Sequence, residues 1–368
     1  MMDILDECYE SAKSVVLQCS TSNGLFASAG KEGYDAIWAR DSMITLIGAS
    51  LVNDNRFKEC FKKSLITLGD NQSRNGQIPN CVDKWSNRKP HVDFQTIDST
   101  LWYLIGHHIY RKRYKDNSLF IRYKKSIERA FNWLSCQDSG ENTLLTQQPT
   151  SDWQDAFPHK YGNTINTDAL YYKVLNLYGK KTDSEKLNFM VNKNEDTKLW
   201  NGNFYVPYRW KNHNKYKEIG DWFDSLGNSL AIVFGLSSKK NSIKILKYID
   251  KMKINRPYPM KTIYPAIEPG SKNWHDYFYD CDSGIPYHYS NGGIWTFNGN
   301  FYILALIKMN MFEKAKRELK LVAKRNLEGN FPEWTDPITL EHHGMLQAWE
   351  AGTFILAYES LKNKKILI

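Results

Sequence analysis

Asp93-Phe94-Gln95-Thr96-Ile97-Asp98-Ser99-Thr100-Leu101-Trp102-Tyr103-Leu104-Ile105 is the stretch that decides the fold. Ile97, Leu101, Leu104 and Ile105 fall on one helical stripe, so its second half reads as a helix with a core-facing side. Its first half is a polar, acidic and aromatic approach to that helix. The same arrangement recurs along the chain. Apolar spacing predicts about twelve helices, over roughly 3–19, 38–51, 55–69, 95–112, 120–136, 165–178, 183–193, 222–236, 240–253, 293–309, 312–326 and 345–362. Links after the odd-numbered helices are often long and carry Gly, Pro, Trp and acids. Links after the even-numbered ones are mostly short and polar, as at 52–54, 113–119, 179–182 and 310–311. Such alternation predicts six hairpins around a ring, an all-α (α/α)6 toroid, with the long links gathered on one face where they can build a pocket. The alternative is an irregular all-α domain. Strands are expected only as short pieces in loops, as at Phe204-Tyr205-Val206, and no low-complexity linker divides the chain, so a single domain over 1–368 is expected.

Composition narrows the function. With 42% hydrophobic and 24% charged residues, the 368-residue chain can bury a large core and is not disordered in bulk. Twelve Trp and 22 Tyr exceed what a core needs and suit a surface that stacks on flat, partly apolar ligands such as sugar rings or bases. No apolar run approaches the roughly 18–20 residues of a membrane span. The start, Met1-Met2-Asp3-Ile4-Leu5-Asp6-Glu7, is acidic where a secretory signal would be basic, so a soluble cytoplasmic protein is expected. The six cysteines lie far apart, without a CxxC pair or a zinc spacing, and read as reduced, mostly buried apolar residues. The net charge of +9 comes from dispersed lysine clusters such as Lys239-Lys240, and no nucleic-acid motif accompanies them. The partner expected is a small carbohydrate, with no nucleic acid and no membrane. No metal or cofactor is called for, and nothing signals an oligomeric state.

The chemistry-bearing residues cluster in the long links. In Tyr34-Asp35-Ala36-Ile37-Trp38-Ala39-Arg40-Asp41-Ser42, a guanidinium donor beside a carboxylate acceptor can hold vicinal hydroxyls, with Trp38 as an apolar platform. The plainer reading makes Asp41 a helix cap and Arg40 structural. Gln77, Asn80 and Asp98 are further hydrogen-bonding groups suited to sugar hydroxyls, although Asp98 equally fits a first helical turn. In Ser151-Asp152-Trp153-Gln154-Asp155-Ala156-Phe157, two acids three apart stand beside aromatic walls that raise a carboxyl pKa and suit a general acid. Loop acids at a cap are the alternative. Asp221-Trp222-Phe223-Asp224 has a similar pattern and reads as a cap. Tyr289-Ser290-Asn291-Gly292-Gly293-Ile294-Trp295 opens the tenth helix with paired glycines that allow close backbone approach to a ligand, or with an ordinary glycine turn. Glu333, in Phe331-Pro332-Glu333-Trp334-Thr335-Asp336, is a candidate water-activating base, with Asp336, Glu341 and Glu350 as rivals. Gln347 and Trp349 follow at the last helix. There is no GxSxG, P-loop, HExxH or dinucleotide fingerprint. Acids, amides, an arginine and many aromatics without those motifs point to carbohydrate, and two separated carboxyls point to a glycosidase.

Trp38-Ala-Arg-Asp-Ser-Met-Ile-Thr-Leu46 resembles the W-G-R-D-T-M-I-A-L stretch of amylo-α-1,6-glucosidases, the glucosidase domain of glycogen debranching enzymes. Gly76-Gln-Ile-Pro-Asn80, Thr96-Ile-Asp-Ser-Thr-Leu-Trp102, Trp153-Gln-Asp-Ala156 and Gln347-Ala-Trp349 resemble that family's G-x-I-P-N, T-V-D-A-T-L-W, W-M-D-A and Q-A-W-S. Tyr289-Ser-Asn-Gly-Gly-Ile-Trp295 and Pro332-Glu-Trp-Thr-Asp336 are similar to Y-H-N-G-G-x-W and P-E-Y-Y-D of neutral/alkaline invertases. The resemblance implies an (α/α)6 inverting glycosidase. Asp155 matches the general acid and Glu333 the general base, with Asp152 open as the acid if the loop register differs. Arg40 and Asp41 match positions that bind the non-reducing sugar, and Trp38, Gln77, Asn80, Asp98, Trp153, Asn291, Trp295, Gln347 and Trp349 line up as further substrate contacts. The activity implied is exo-hydrolysis of an α-glucoside or oligosaccharide. A sucrose-hydrolysing invertase or a non-catalytic carbohydrate-binding protein are the alternatives. The motifs also depart from the families: Ser290 stands for the usual His, Thr296 for the Pro after Trp295, and Glu350 for the Ser after Trp349. The chain begins almost at the implied toroid, which favours a small α-glucoside over large glycogen.

Overall fold

In a computed structural model of the chain, the structure describes residues 3–30, 35–86, 89–156, 159–213, 216–281 and 284–368. Every predicted helical segment holds a helix. They are α1 (Ile4–Cys19), α2 (Ala39–Ala49), α3 (Asn55–Asp70), α4 (Asp98–Tyr114), α5 (Ser118–Arg122), α6 (Lys124–Ser135), α7 (Ile165–Leu177), α8 (Lys181–Asn192), α9 (Ser225–Phe234), α10 (Lys239–Lys251), α11 (Thr296–Lys308), α12 (Phe312–Glu328) and α13 (Ala348–Lys362). The fifth expected helix is broken at Tyr123 into α5 and α6.

The helices fall into two kinds that alternate along the chain. Every residue of α2 is buried, and α11 is buried from Thr296 to Ile307. α4, α7, α9 and α13 are likewise buried on nearly all sides over most of their length. By contrast α3 buries one face, through Phe57, Cys60, Phe61, Ser64, Leu65 and Leu68, and α10 only Ser242, Ile245, Leu246 and Ile249. A helix buried all round needs other helices on every side, whereas an amphipathic one covers them from solvent. The long links lead into the buried helices.

Four buried helices, α4, α9, α11 and α13, start three residues later than apolar periodicity suggests. The reason is the same for three of them: Asp224, Trp295 and Gln347 are extended residues at the entrance. Ile37–Trp38 at the start of α2 and Phe223–Asp224 at that of α9 also pair as short antiparallel strands, with Val82–Cys81 and Tyr264–Ile263. Their alternation adds apolar residues at spacings that mimic a further helical turn.

Contacts divide the chain into two compact units. The first comprises Met1–Leu134, Glu313–Glu333 and His342–Ile368; the second comprises Ser135–Phe312 and Trp334–Glu341. In the first unit α2 lies against α13 and α4, and α1 also packs on α13. The α2–α13 crossing is a backbone contact. A Cβ on Gly48 would fall 1.9 Å from the Gly352 carbonyl oxygen, and one on Gly352 would fall 2.4 Å from Thr45 Cα. In the second unit α9 lies against both α7 and α11. A four-stranded antiparallel sheet brackets α7 and α8 in sequence, running Thr146–Gln147, Gly162–Thr164, Tyr208–His213 and Tyr216–Ile219. Its hairpin at 208–219 was not expected from the sequence. The predicted strand at 204–206 reduces to a single bridge between Tyr205 and Trp200. Among the described residues the cysteines form no disulfide; Cys8, Cys19, Cys60 and Cys81 are buried, whereas Cys136 is exposed and Cys281 partly so. No helix of the described residues is long and apolar enough to cross a membrane.

Candidate active site

In the second unit, the loop 151–156 carries both acids of the W-Q-D stretch, and burial separates them. Asp152 is fully buried, with Oδ2 2.9 Å from Lys160 Nζ and 3.3 Å from Gln147 Nε2, while its Oδ1 accepts from the Gln154 amide at 3.0 Å. Lys160 Nζ also donates to Asp224 Oδ2 at 3.1 Å and to Gln154 Oε1 at 2.8 Å. Burial pulls the Lys160 pKa down, but the two carboxylates outweigh it and hold the amine above its ordinary value. Asp224 Oδ1 accepts from Gly227 N at 3.0 Å and so caps α9, as its pattern in the sequence suggested. Asp155, three residues past Asp152, is only partly buried.

The aromatic residues of this loop act as walls. Trp153 is buried, edge-on to Trp295 (centroids 5.8 Å, 72°) and to Phe297 (5.1 Å, 87°). Trp295 Nε1 donates to the Tyr289 carbonyl at 3.1 Å, and its ring is covered. Both rings, expected among the substrate contacts, are buried against neighbouring aromatic residues. Asn291, also expected as a substrate contact, is held by backbone groups. Its Oδ1 accepts from Ile267 N at 2.7 Å and its Nδ2 donates to Ile267 O at 3.0 Å, which makes the buried amide a backbone-like brace for the Asn-Gly-Gly turn. Phe157, expected in the apolar wall, and Tyr34, at the start of the Arg40 cluster, lie outside the described residues.

In the first unit, Arg40 reaches across to Asp98. Both Arg40 and Asp98 are buried, and Arg40 Nη1 stands 3.1 Å from Asp98 Oδ1 and 3.3 Å from Oδ2, joining the first turns of α2 and α4. Asp41 is buried in the first turn of α2, whose entrance residue is the half-buried Trp38 rather than an Asp41 cap. Gln77 and Asn80 are held by the scaffold. Gln77 Nε2 donates to the carbonyls of Phe94 and Thr96. Asn80 Nδ2 donates to Asp93 Oδ2 at 3.0 Å, and its Oδ1 accepts from Thr96 Oγ1 at 3.0 Å. Both amides therefore fix the approach to α4. Gln347 and Trp349, expected as substrate contacts, are buried at the start of α13.

Glu333 is partly buried on the link between α12 and α13. Its amide donates to the His343 carbonyl at 2.8 Å, and a Cβ on Gly344 (φ +67°) would lie 2.9 Å from Glu333 Cβ. Only a residue without a side chain fits there with that backbone. Arg325, fully buried on α12, donates to the carbonyl of Pro332 at 2.8 Å and lies 3.7 Å from Glu350. That arrangement removes Glu350 from contention as a solvent-facing base. Asp336 Oδ1 caps the Ile338 and Thr339 amides, and Glu341 is exposed.

Lys160 and Arg325 are the groups that sequence reasoning missed. Lys160 had an indirect signal: two acid–aromatic clusters, at 152 and 224, that both fold inward require a cation between them. Arg325 had a direct one, since it follows Leu319 and Val322 on the apolar stripe of α12, where an arginine is out of place unless it is paired. Among the described residues, no group of three His, Cys, Asp or Glu could hold a metal.

Comparison with known structures gives the class. A GH63 mannosylglycerate hydrolase from Thermus thermophilus, solved with Tris and D-glycerate, superposes with a TM-score of 0.71 at 13% identity, over 95% of this chain and 99% of that one. A glycosidase variant in complex with glucose matches at TM-score 0.66 and 14% identity, over 98% of this chain and 97% of that one. The fold is therefore the (α/α)6 fold of six-hairpin glycoside hydrolases. The chain belongs to the amylo-alpha-1,6-glucosidase family, whose pattern matches residues 10–356. It is also similar to a probable alkaline/neutral invertase A, chloroplastic, of Arabidopsis thaliana, 29% identical over 150 residues that make up 39% of this chain and 23% of that one. A neutral/alkaline invertase 1, mitochondrial, of Oryza sativa subsp. japonica is 30% identical over 139 residues, 36% of this chain and 22% of that one. The matched segment thus spans under a quarter of the invertases' length.

Proposed function

We propose that this glycoside hydrolase is an inverting, exo-acting enzyme on an α-glucoside or α-linked oligosaccharide, with Asp155 as general acid and Glu333 as general base. Asp155 protonates the glycosidic oxygen as the bond to the anomeric carbon breaks. Glu333 takes a proton from a water that attacks the opposite face of the sugar, which has oxocarbenium character at that moment. Inversion of this kind needs roughly 6.5–9.5 Å between the two carboxyls, so that the water fits. Arg40 and Asp98 serve this reading by fixing the entrance to α2 beside Trp38 and Asp41.

The observation that carries the assignment of the acid is the contrast on one loop. Asp152 is locked beneath the surface by Lys160, and Asp155 remains accessible three residues on. For the base, the same logic favours Glu333 over Glu350, which is buried opposite Arg325. The partial match to invertases adds sucrose to the substrates worth testing.

The test is an NMR time course with isomaltose, maltose, trehalose, sucrose and a branched limit dextrin. β-Glucose as the first product from an α-linked member, absent with Asp155→Asn, is the expected result. α-Glucose as the first product refutes inversion, and near-normal turnover by Asp155→Asn removes Asp155 from the acid role. Glu333→Gln should lose activity that azide partly restores, and full activity would dismiss it as base.

A further inference from the structure

We propose that Tyr277 and Tyr279 form a platform for the leaving-group sugar, so that the substrate carries a pyranose ring on the far side of the scissile bond rather than a small acid or alcohol. The inference rests on the assignment of Asp155 as general acid. The segment lies in the second unit and turns through a short 3-10 helix, Asp276–Asp280. Phe278 is its anchor, fully buried in a cluster with Trp222, Ile263 and Ile267, against which Trp274 packs. Its two neighbours point away from that cluster: Tyr277 is 45% and Tyr279 69% exposed. Large aromatic rings left in water next to a well-packed anchor are not explained by the core.

These rings are held in place. The Tyr277 hydroxyl is hydrogen-bonded to His159 Nδ1, and its ring stacks on His275 (5.8 Å, 29°), which in turn lies 4.2 Å from the His159 ring. Tyr279 meets Trp274 edge to face at 4.9 Å and 64°. A fixed ring loses little conformational freedom when a ligand stacks on it, which is what a binding platform requires. Asp276 and Asp280, both exposed, flank the rings as acceptors for hydroxyl groups.

Position gives the platform its role. His159 follows Asp155 by four residues, and Cys281 Sγ lies 3.7 Å from the carbonyl of Ala156, the residue next to the acid. The aromatic segment is thereby fastened to the acid's own loop at two points. A general acid donates to the oxygen that joins the cleaved sugar to its leaving group, so on this proposal the leaving group lies on the acid's side, where the segment is fastened. The apolar C–H face of a pyranose stacks on tyrosine, and its hydroxyls reach the flanking carboxylates.

Two measurements on the full chain test this. For wild type, Tyr279→Ala and Tyr279→Phe, kcat/KM is measured on maltotriose and isomaltotriose relative to α-glucosyl fluoride, whose leaving group carries no sugar. Saturation-transfer NMR maps which rings of the two trisaccharides touch each protein. The oligosaccharide-to-fluoride ratio should fall roughly tenfold in Tyr279→Ala. Saturation of the rings beyond the non-reducing end should vanish with it, and both should return in Tyr279→Phe. An unchanged ratio, or an unchanged saturation pattern, overturns the platform. Failure of every protein to hydrolyse the fluoride refutes the proposed reaction instead, and the saturation pattern still decides the platform.

Discussion

Replacing Lys160 by Met tests the buried cation directly. The substitution keeps an unbranched side chain of similar length and removes the charge, which leaves Asp152 and Asp224 facing one gap. The Nζ–O contacts are 2.9 and 3.1 Å, each worth roughly 5–6 kcal/mol of attraction at an effective dielectric near 20. Desolvation of three buried charges offsets most of that. What the variant exposes is the uncompensated remainder, about 3–5 kcal/mol for breaking a buried pair from one side. Urea unfolding followed by tryptophan fluorescence measures it. Adding Asp152→Asn to Lys160→Met should recover much of the loss, because one of the two stranded charges is gone. The pH dependence has a definite sign. Lys160 is held above its ordinary pKa, so its contribution is complete below about 10.4 and fades as pH climbs through the folded value. Wild type should therefore show an alkaline decline that Lys160→Met lacks. A loss under about 1 kcal/mol, or a double variant weaker than the single one, refutes the reasoning.

Two further outcomes follow from buried groups in the first unit. His107 lies on α4, 4.5 Å edge-on from Tyr103, and burial pulls its pKa down to about 3. It stays neutral when folded and titrates near 6.5 when unfolded, so its contribution is intact above pH 6.5 and is lost towards pH 3, at up to about 1.4 kcal/mol per pH unit. His107→Phe should flatten that acid limb, and an unaltered limb would dismiss His107 as its source. Arg40→Met should cost about 3–5 kcal/mol by leaving the buried Asp98 charge without its guanidinium. A double-mutant cycle with Asp98→Asn should show strong coupling, and purely additive losses would deny the pairing.

Periodicity found the helices because each buried stripe repeats at about 3.6 residues, and the alternation of link lengths found their pairing. The missed hairpin at 208–219 shows the limit of that signal. Tyr208-Arg-Trp-Lys and Tyr216-Lys-Glu-Ile alternate as strands, but each run is short and lies inside a long link rich in polar residues. At the candidate site, residue type singled out loops but not the packing of each side chain. Asn291, Asn80 and Gln77 look like sugar ligands in a sequence because an amide that replaces backbone pairing and one that binds hydroxyls are the same chemical group. Only burial and partners tell them apart. The same holds for Asp152 and Asp155, three positions apart with opposite exposure. Tyr277 and Tyr279 escaped notice because nothing in a sequence distinguishes a covered tyrosine from an exposed one.

The order in which the two units use the chain has a consequence for biosynthesis. α2 packs against α13, backbone to backbone at Gly48 and Gly352, yet α13 is translated only after the whole of 135–312. At roughly 5–20 residues per second, the ribosome takes about ten seconds or more to cross that interval. Throughout it the fully buried α2 and its neighbour α4 have no permanent cover on the side α13 will occupy. The nascent amino-terminal helices thus keep apolar surface uncovered during synthesis, while the second unit emerges uninterrupted as far as Phe312.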